Sequence, residues 1–115
     1  MDTHTYTLDI DEIGAFAFAA RKFLDSYGLN DTEIILGEYN IAKDIDDVSS
    51  YRCAAALSGA LCLMQKSPLS KAMYYDAQTN STYCGLFKRE GRYGLEKPYY
   101  SLIAFNELYK IKDEV

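Results

Sequence analysis

Tryptophan is absent from this 115-residue chain, proline occurs only twice, and cysteine only three times. No apolar stretch approaches the roughly 20 residues that a membrane-spanning helix requires. The start, Met1-Asp2-Thr3-His4, has neither a basic region nor an apolar core, so no secretion signal is read there and a cytoplasmic location is favoured. Positive charge is also scarce. With 17 acidic against 12 basic residues, the net charge is −5, and an acidic surface is repelled by nucleic acid and by anionic membranes. Neither is expected as a partner. Nothing resembles a phosphate-binding glycine-rich loop, and no paired nucleophile and base stands out.

The three cysteines, Cys53, Cys62 and Cys84, cannot all pair with one another, and none forms the close CxxC spacing of a zinc or redox site. They read as reduced packing residues, since free cysteine is among the most buried side chains. No metal and no cofactor is expected. What the chain does have is apolar and aromatic content, 49% and 14%, which belongs to a sequence that folds around a core. Its length allows a single domain, residues 1–115.

Thr3 to Leu8 is rich in β-branched and aromatic residues and predicts a strand end. Asp9-Ile10-Asp11-Glu12 follows with a carboxylate three residues before a Glu, a variant of the capping box that opens helices. Ile13, Phe16, Ala20, Phe23, Leu24 and Tyr27 then recur at spacings of three and four, and Gly28 suits the left-handed position after a helix end. Glu33 to Gly37 is a short continuous apolar run of the kind buried on both faces of a parallel sheet. Asp44, Asp46 and Asp47 offer acidic caps to a long helix from about Val48 to Gln65, whose small residues Ala54 to Ala60 permit close approach of a neighbouring layer. Ser67-Pro68 stops it.

Lys71 to Tyr75 reads as a third strand, and Tyr83 to Lys88 with Arg92 to Leu95 as a hairpin around Arg89-Glu90-Gly91. Pro98 opens a last helix at a position where its missing N–H costs nothing, with Leu102, Ile103, Phe105, Leu108, Tyr109 and Ile111 as its apolar face. The order β-α-β-α-β-hairpin-α implies an α/β fold with parallel main strands. Three strands with helices on one face leave the other face bare. Exposing a large apolar side chain there forfeits roughly 1.5–3 kcal/mol, so a cover is expected, either further strands or a second copy of the chain.

In parallel α/β folds functional side chains gather where strands end and the following loops begin. The residues so placed are His4 and Tyr6 after the first strand, Glu38, Tyr39 and Asn40 after the second, and Tyr75 and Asp76 after the third. A carboxylate, a histidine and several aromatic rings suit a sugar site, where polar groups fix hydroxyls and flat rings stack on pyranose faces. Glu38 follows an apolar strand directly, and Gly37 leaves room beside it. The plainer reading is that Glu38 caps the next loop or pairs with Lys43. His4 and Tyr6 either steady the charged form of Glu38 or, for His4, face solvent. Tyr75 and Asp76 belong to a pocket or to an ordinary loop.

The run Glu33-Ile34-Ile35-Leu36-Gly37-Glu38-Tyr39-Asn40 resembles the seventh-strand motif of the clan A glycoside hydrolases, particularly families 39 and 51. There an apolar strand ends in a nucleophilic Glu followed by an aromatic residue and often Asn. His4-x-Tyr6 is similar to the end of their sixth strand. Gly85-Leu86 in the hairpin, Lys97-Pro98-Tyr99-Tyr100 and Ala104-Phe105-Asn106-Glu107-Leu108 follow the order of such barrels to the eighth helix. The resemblance implies a partial (β/α)8 TIM barrel, since a complete one takes roughly 250 residues. It further implies a retaining glycosidase on a carbohydrate substrate, with Glu38 as nucleophile and His4, Tyr6, Tyr39, Asn40, Tyr75 and Asp76 around the sugar.

Two departures matter. The Trp that commonly ends the eighth strand of these enzymes is absent, leaving Tyr74 or Tyr75 in its place. The acid/base Glu of the family sits on a fourth strand, usually after Asn, and no such strand is read here; Asn106-Glu107 lies inside the last helix. The expected partner is therefore an N-terminal barrel half or a second copy, and the chain alone should be inactive. The other reading is a non-catalytic carbohydrate-binding or self-associating module derived from a barrel.

Overall fold

The computed structural model describes residues 1–41, 50–77, 85–88 and 94–112. Strand β1 (Asp2–Tyr6) leads through Asp9 into helix α1 (Ile10–Ser26). The Asp9 carboxylate accepts the Asp11 N–H, satisfying one of the donors a helix start leaves unpaired. Gly28 stands just beyond the helix at φ +72°, a conformation that costs glycine nothing. Strand β2 (Ile35–Asn40) follows, then helix α2 (Tyr51–Gln65), strand β3 (Lys71–Tyr74) and helix α3 (Lys97–Ile111).

Several expected boundaries move. Helix α2 opens on Ser50, whose hydroxyl accepts the Cys53 N–H at 3.1 Å, rather than near Val48; Asp44, Asp46 and Asp47 lie outside the described residues. Strand β2 runs on through Glu38 to Asn40 instead of ending at Gly37. Of the hairpin, Phe87 bridges Leu95 antiparallel, with Lys88 N–H donating to the Gly94 carbonyl and Glu96 N–H to that of Leu86. Its turn, and Cys84, fall outside the described residues. Cys53 is buried as expected, whereas Cys62 on the same helix is exposed.

The strands form one parallel sheet in the order β1-β2-β3, so the expected α/β arrangement of parallel strands joined by helices is present. The core clusters of the described residues lie on the helix face of the sheet. Ile13 of α1, Leu36 and Tyr39 of β2, and Leu57, Ala60 and Met64 of α2 pack together, with Leu102 of α3 against them. Ile34 joins Ala20 and Leu24 of α1, and Ile41 meets Cys53 of α2. Each large side chain so buried contributes roughly 1.5–3 kcal/mol. Small residues bring the helices close: a Cβ on Gly59 would lie 2.7 Å from Ile10 Cδ1, and the Ser101 hydroxyl reaches the Ala54 carbonyl at 2.7 Å.

Strand β2 is therefore not buried on both sides. Ile34 and Leu36 are inaccessible while Ile35, between them, is only half-buried on the other face. Two helices also differ from their apolar patterns. Phe23 and Tyr27 on α1 stay exposed, and on α3 only Pro98 and Ser101 are buried, with Leu108, Tyr109 and Ile111 open. Periodicity identified the helices but overstated how much of each apolar stripe a three-stranded sheet can cover.

Candidate functional site

Strict alternation along β2 would send Leu36 to the helices, Gly37 away from them and Glu38 back again. The pairing shows otherwise. Thr3 opposes Leu36 and His4 opposes Glu38, and on the other side Leu36 opposes Ala72 while Tyr39 opposes Tyr74. Strand β2 thus carries one residue more than either neighbour, a β-bulge at Gly37-Glu38. Leu36 and Tyr39 both face the helices, and Glu38 shares the opposite face with His4 and Tyr6.

On that face the Tyr6 hydroxyl donates to Glu38 Oε2 at 2.5 Å, and His4 Nδ1 lies 3.3 Å from the same oxygen. Both contacts fall on Oε2. Among the described residues no hydrogen bond or ion pair is made to Oε1, and the Glu38 side chain is 32% exposed. The Tyr75 ring stands edge-on to Tyr6, with centroids 6.3 Å apart, and it is partly open to solvent. Asn40 is fully buried, and its side-chain amide donates to the Tyr75 carbonyl. Asp76 follows Tyr75 through a cis peptide bond and is half-buried.

Of the seven residues singled out, His4, Tyr6 and Glu38 come into direct contact, and Tyr75 packs beside them. Asn40 acts one step back, on the backbone of Tyr75. Tyr39 departs from the expected sugar site. It is 2% exposed among the core residues of α2, edge-to-face with Tyr74 at 5.5 Å, and burial pushes its hydroxyl up to about 12. Tyr74 goes with it, so of the two tyrosines ending β3 only Tyr75 is on the Glu38 side. Glu107, in the last helix, is exposed and pairs with Lys110 at 2.7 Å.

The bulge was the feature not read from sequence, although its signal was there. Ile34 and Leu36 share one phase of a two-residue period and Tyr39 and Ile41 the other, so all four can be buried on one face only if an extra residue intervenes. A cleft of about 320 Å³ between α2, α3 and β3, lined by Tyr39, Leu61, Met64, Leu69, Phe105 and Tyr109, lies on the helix side and takes no part in the Glu38 cluster. Among the described residues no group of three or more His, Cys, Asp or Glu is gathered as metal ligands would be.

No protein-family description and no curated protein matches the sequence. Among solved structures, a glucosidase from Croceicoccus marinus superposes on 90% of this chain with a TM-score of 0.68 at 23% sequence identity. The chain spans 24% of the length of that glucosidase. The likeness is one of fold: three parallel strands and their helices match part of a larger, barrel-like α/β architecture.

Proposed function

We propose that this chain is the nucleophile-bearing part of a retaining glycoside hydrolase, with Glu38 as the nucleophile. The observation that carries the reading is the Glu38 carboxylate held through Oε2 by Tyr6 and His4 on the sheet face opposite the helices. The contacts from Tyr6 and His4 fix the carboxylate in place, and the ionised carboxylate is the form that attacks. In the proposed reaction Oε1 attacks the anomeric carbon, the glycosidic bond breaks, and a second carboxylic acid about 5–5.5 Å away protonates the leaving oxygen. Water then cleaves the glycosyl ester, activated by the same second group. That group is expected from strands outside this chain, so these residues alone should not hydrolyse a glycoside.

The fold shared with part of a glucosidase supports the reading, and the motif around Glu38 favours families 39 and 51 within clan A. Tyr75 takes the place of the missing tryptophan as a ring beside the sugar, with Asn40 holding its backbone. A mechanism-based glycoside inactivator applied to a full-length protein containing this segment, followed by peptide mapping, tests the assignment. The label is expected on Glu38, and a label elsewhere refutes it. Self-association through the sheet face opposite the helices is the other reading, which Met73, 51% exposed on β3, keeps in view. A monomer by sedimentation over a wide concentration range would remove it.

A further inference from the structure

We propose that this chain associates head-to-tail with a second copy of itself, the flank of β1 and α1 on one copy meeting the flank of β3 and α3 on the next. The contact leaves the Glu38 face untouched, so it is independent of the nucleophile reading. Among the described residues β1 and β3 each pair with β2 alone, and each keeps an outer edge that can join the other in parallel. The helix flanks beside those edges are matched. Ile10 of α1 reaches Gly59 of α2, and at about 3.6 residues per turn Phe16, Phe23 and Tyr27 fall on the other flank of α1. Phe23 and Tyr27 pack with ring centroids 5.0 Å apart and are 57% and 69% exposed. On the opposite flank, the cleft between α2, α3 and β3 opens over Ala72, which faces the helix side yet is exposed, with Phe105 and Tyr109 as its aromatic wall. An exposed aromatic pair and an aromatic-walled cleft are the two halves of an anchor-in-pocket contact.

The two halves also lie at one height. A helix joining parallel strands runs back against them, so its end stands level with the strand starts. Phe23 and Tyr27 close α1, and the cleft is lined by Gln65 ending α2, Lys71 opening β3 and Tyr109 in the last turn of α3. Charge agrees as well: Lys66 and Lys71 stand at the cleft end, Asp25 and Asp31 at the end of the two rings. Lys71 and Asp25 hold internal partners, Glu33 and Arg21, but both remain about half open to solvent. Because the flanks are unlike, the contact is heterologous, and its product is a closed ring or an open filament.

Sedimentation of the 115-residue chain over a range of concentrations should show reversible association that weakens as salt is raised. Phe23→Lys removes the anchor and Ala72→Trp fills the cleft. Each should raise the dissociation constant roughly 30-fold or more, the scale of a central anchor residue. Their mixture is decisive. Each variant keeps the surface that the other has lost, so together they should form a 1:1 heterodimer that grows no further. Met73→Lys, on the opposite face of the sheet, should assemble as the wild type does. A monomeric wild type overturns the proposal and assigns both flanks to further strands of a longer chain. A mixture that stays monomeric also overturns it, as does a Met73→Lys chain that dissociates, which would put the contact on the sheet face. If either variant does not fold, Tyr27→Lys for the anchor and Tyr109→Lys for the cleft, both 69% exposed, replace them. Inactivator labelling of Glu38 tests the nucleophile separately and is indifferent to these outcomes.

Discussion

On the helix side of β2, Leu36, Tyr39 and Ile41 are at most 2% exposed, whereas on the other side Glu38 and His4 keep 32% and 52% of their side-chain surface open. Adjacent residues, Glu38 and Tyr39, thus meet opposite conditions. Tyr39 is desolvated until its hydroxyl resists ionisation, and Glu38 keeps part of its side chain open to solvent. The difference assigns stability to one face and chemistry to the other. Among the described residues the helices pack on one side of the sheet, and the polar groups Glu38, His4 and Tyr6 lie on the other without entering that core.

Truncating the covered face should be the most damaging change. Leu57 is fully buried at the centre of the main cluster, and Leu57→Ala is expected to cost roughly 2–5 kcal/mol in urea denaturation. A loss below about 1 kcal/mol would mean that this face does not hold the fold. Next comes alkaline pH. Folding raises the Tyr39 hydroxyl from 10.0 to about 12 by burial, so its contribution is complete below pH 10 and is lost as pH rises to about 12. At one pKa unit per 1.36 kcal/mol, the loss reaches about 3 kcal/mol at most. Tyr39→Phe should flatten this part of the stability curve relative to wild type, and an unchanged curve would contradict the burial.

Ser50→Ala removes the cap of α2 and should cost about 1 kcal/mol, read from the thermal midpoint at fixed protein concentration. A neutral result would show that α2 is held by packing alone. The smallest effect on folding belongs to the open face. Glu38→Gln should change stability by no more than about 0.5 kcal/mol, yet abolish turnover in a complete enzyme. If it destabilised the chain as much as Leu57→Ala, the division between the two faces would fail.

Much of the fold was legible because helix ends answer to their nearest neighbours. Asp9 before α1, Gly28 after it and Pro98 at the start of α3 each act through local backbone geometry. The facing of side chains was less legible. Phe23 and Tyr27 satisfy helical spacing as well as Leu24 does, but only Leu24 lies over the sheet. The contact of Glu38 with Tyr6, 32 residues away, was anticipated as a possible pairing from strand ends alone, and Tyr39 was misplaced by the same argument.

By itself the sequence determined the succession of strands and helices, the caps that bound them, and the presence of a carboxylate at the edge of an apolar run. Those depend on short-range hydrogen bonding and on periodicity. Only the tertiary structure decided which way that carboxylate points. Side chains on a strand alternate, so a single extra residue reverses every later assignment, and whether β2 absorbs one is settled by its neighbours in the sheet and by the helices that bury Leu36 and Tyr39 together.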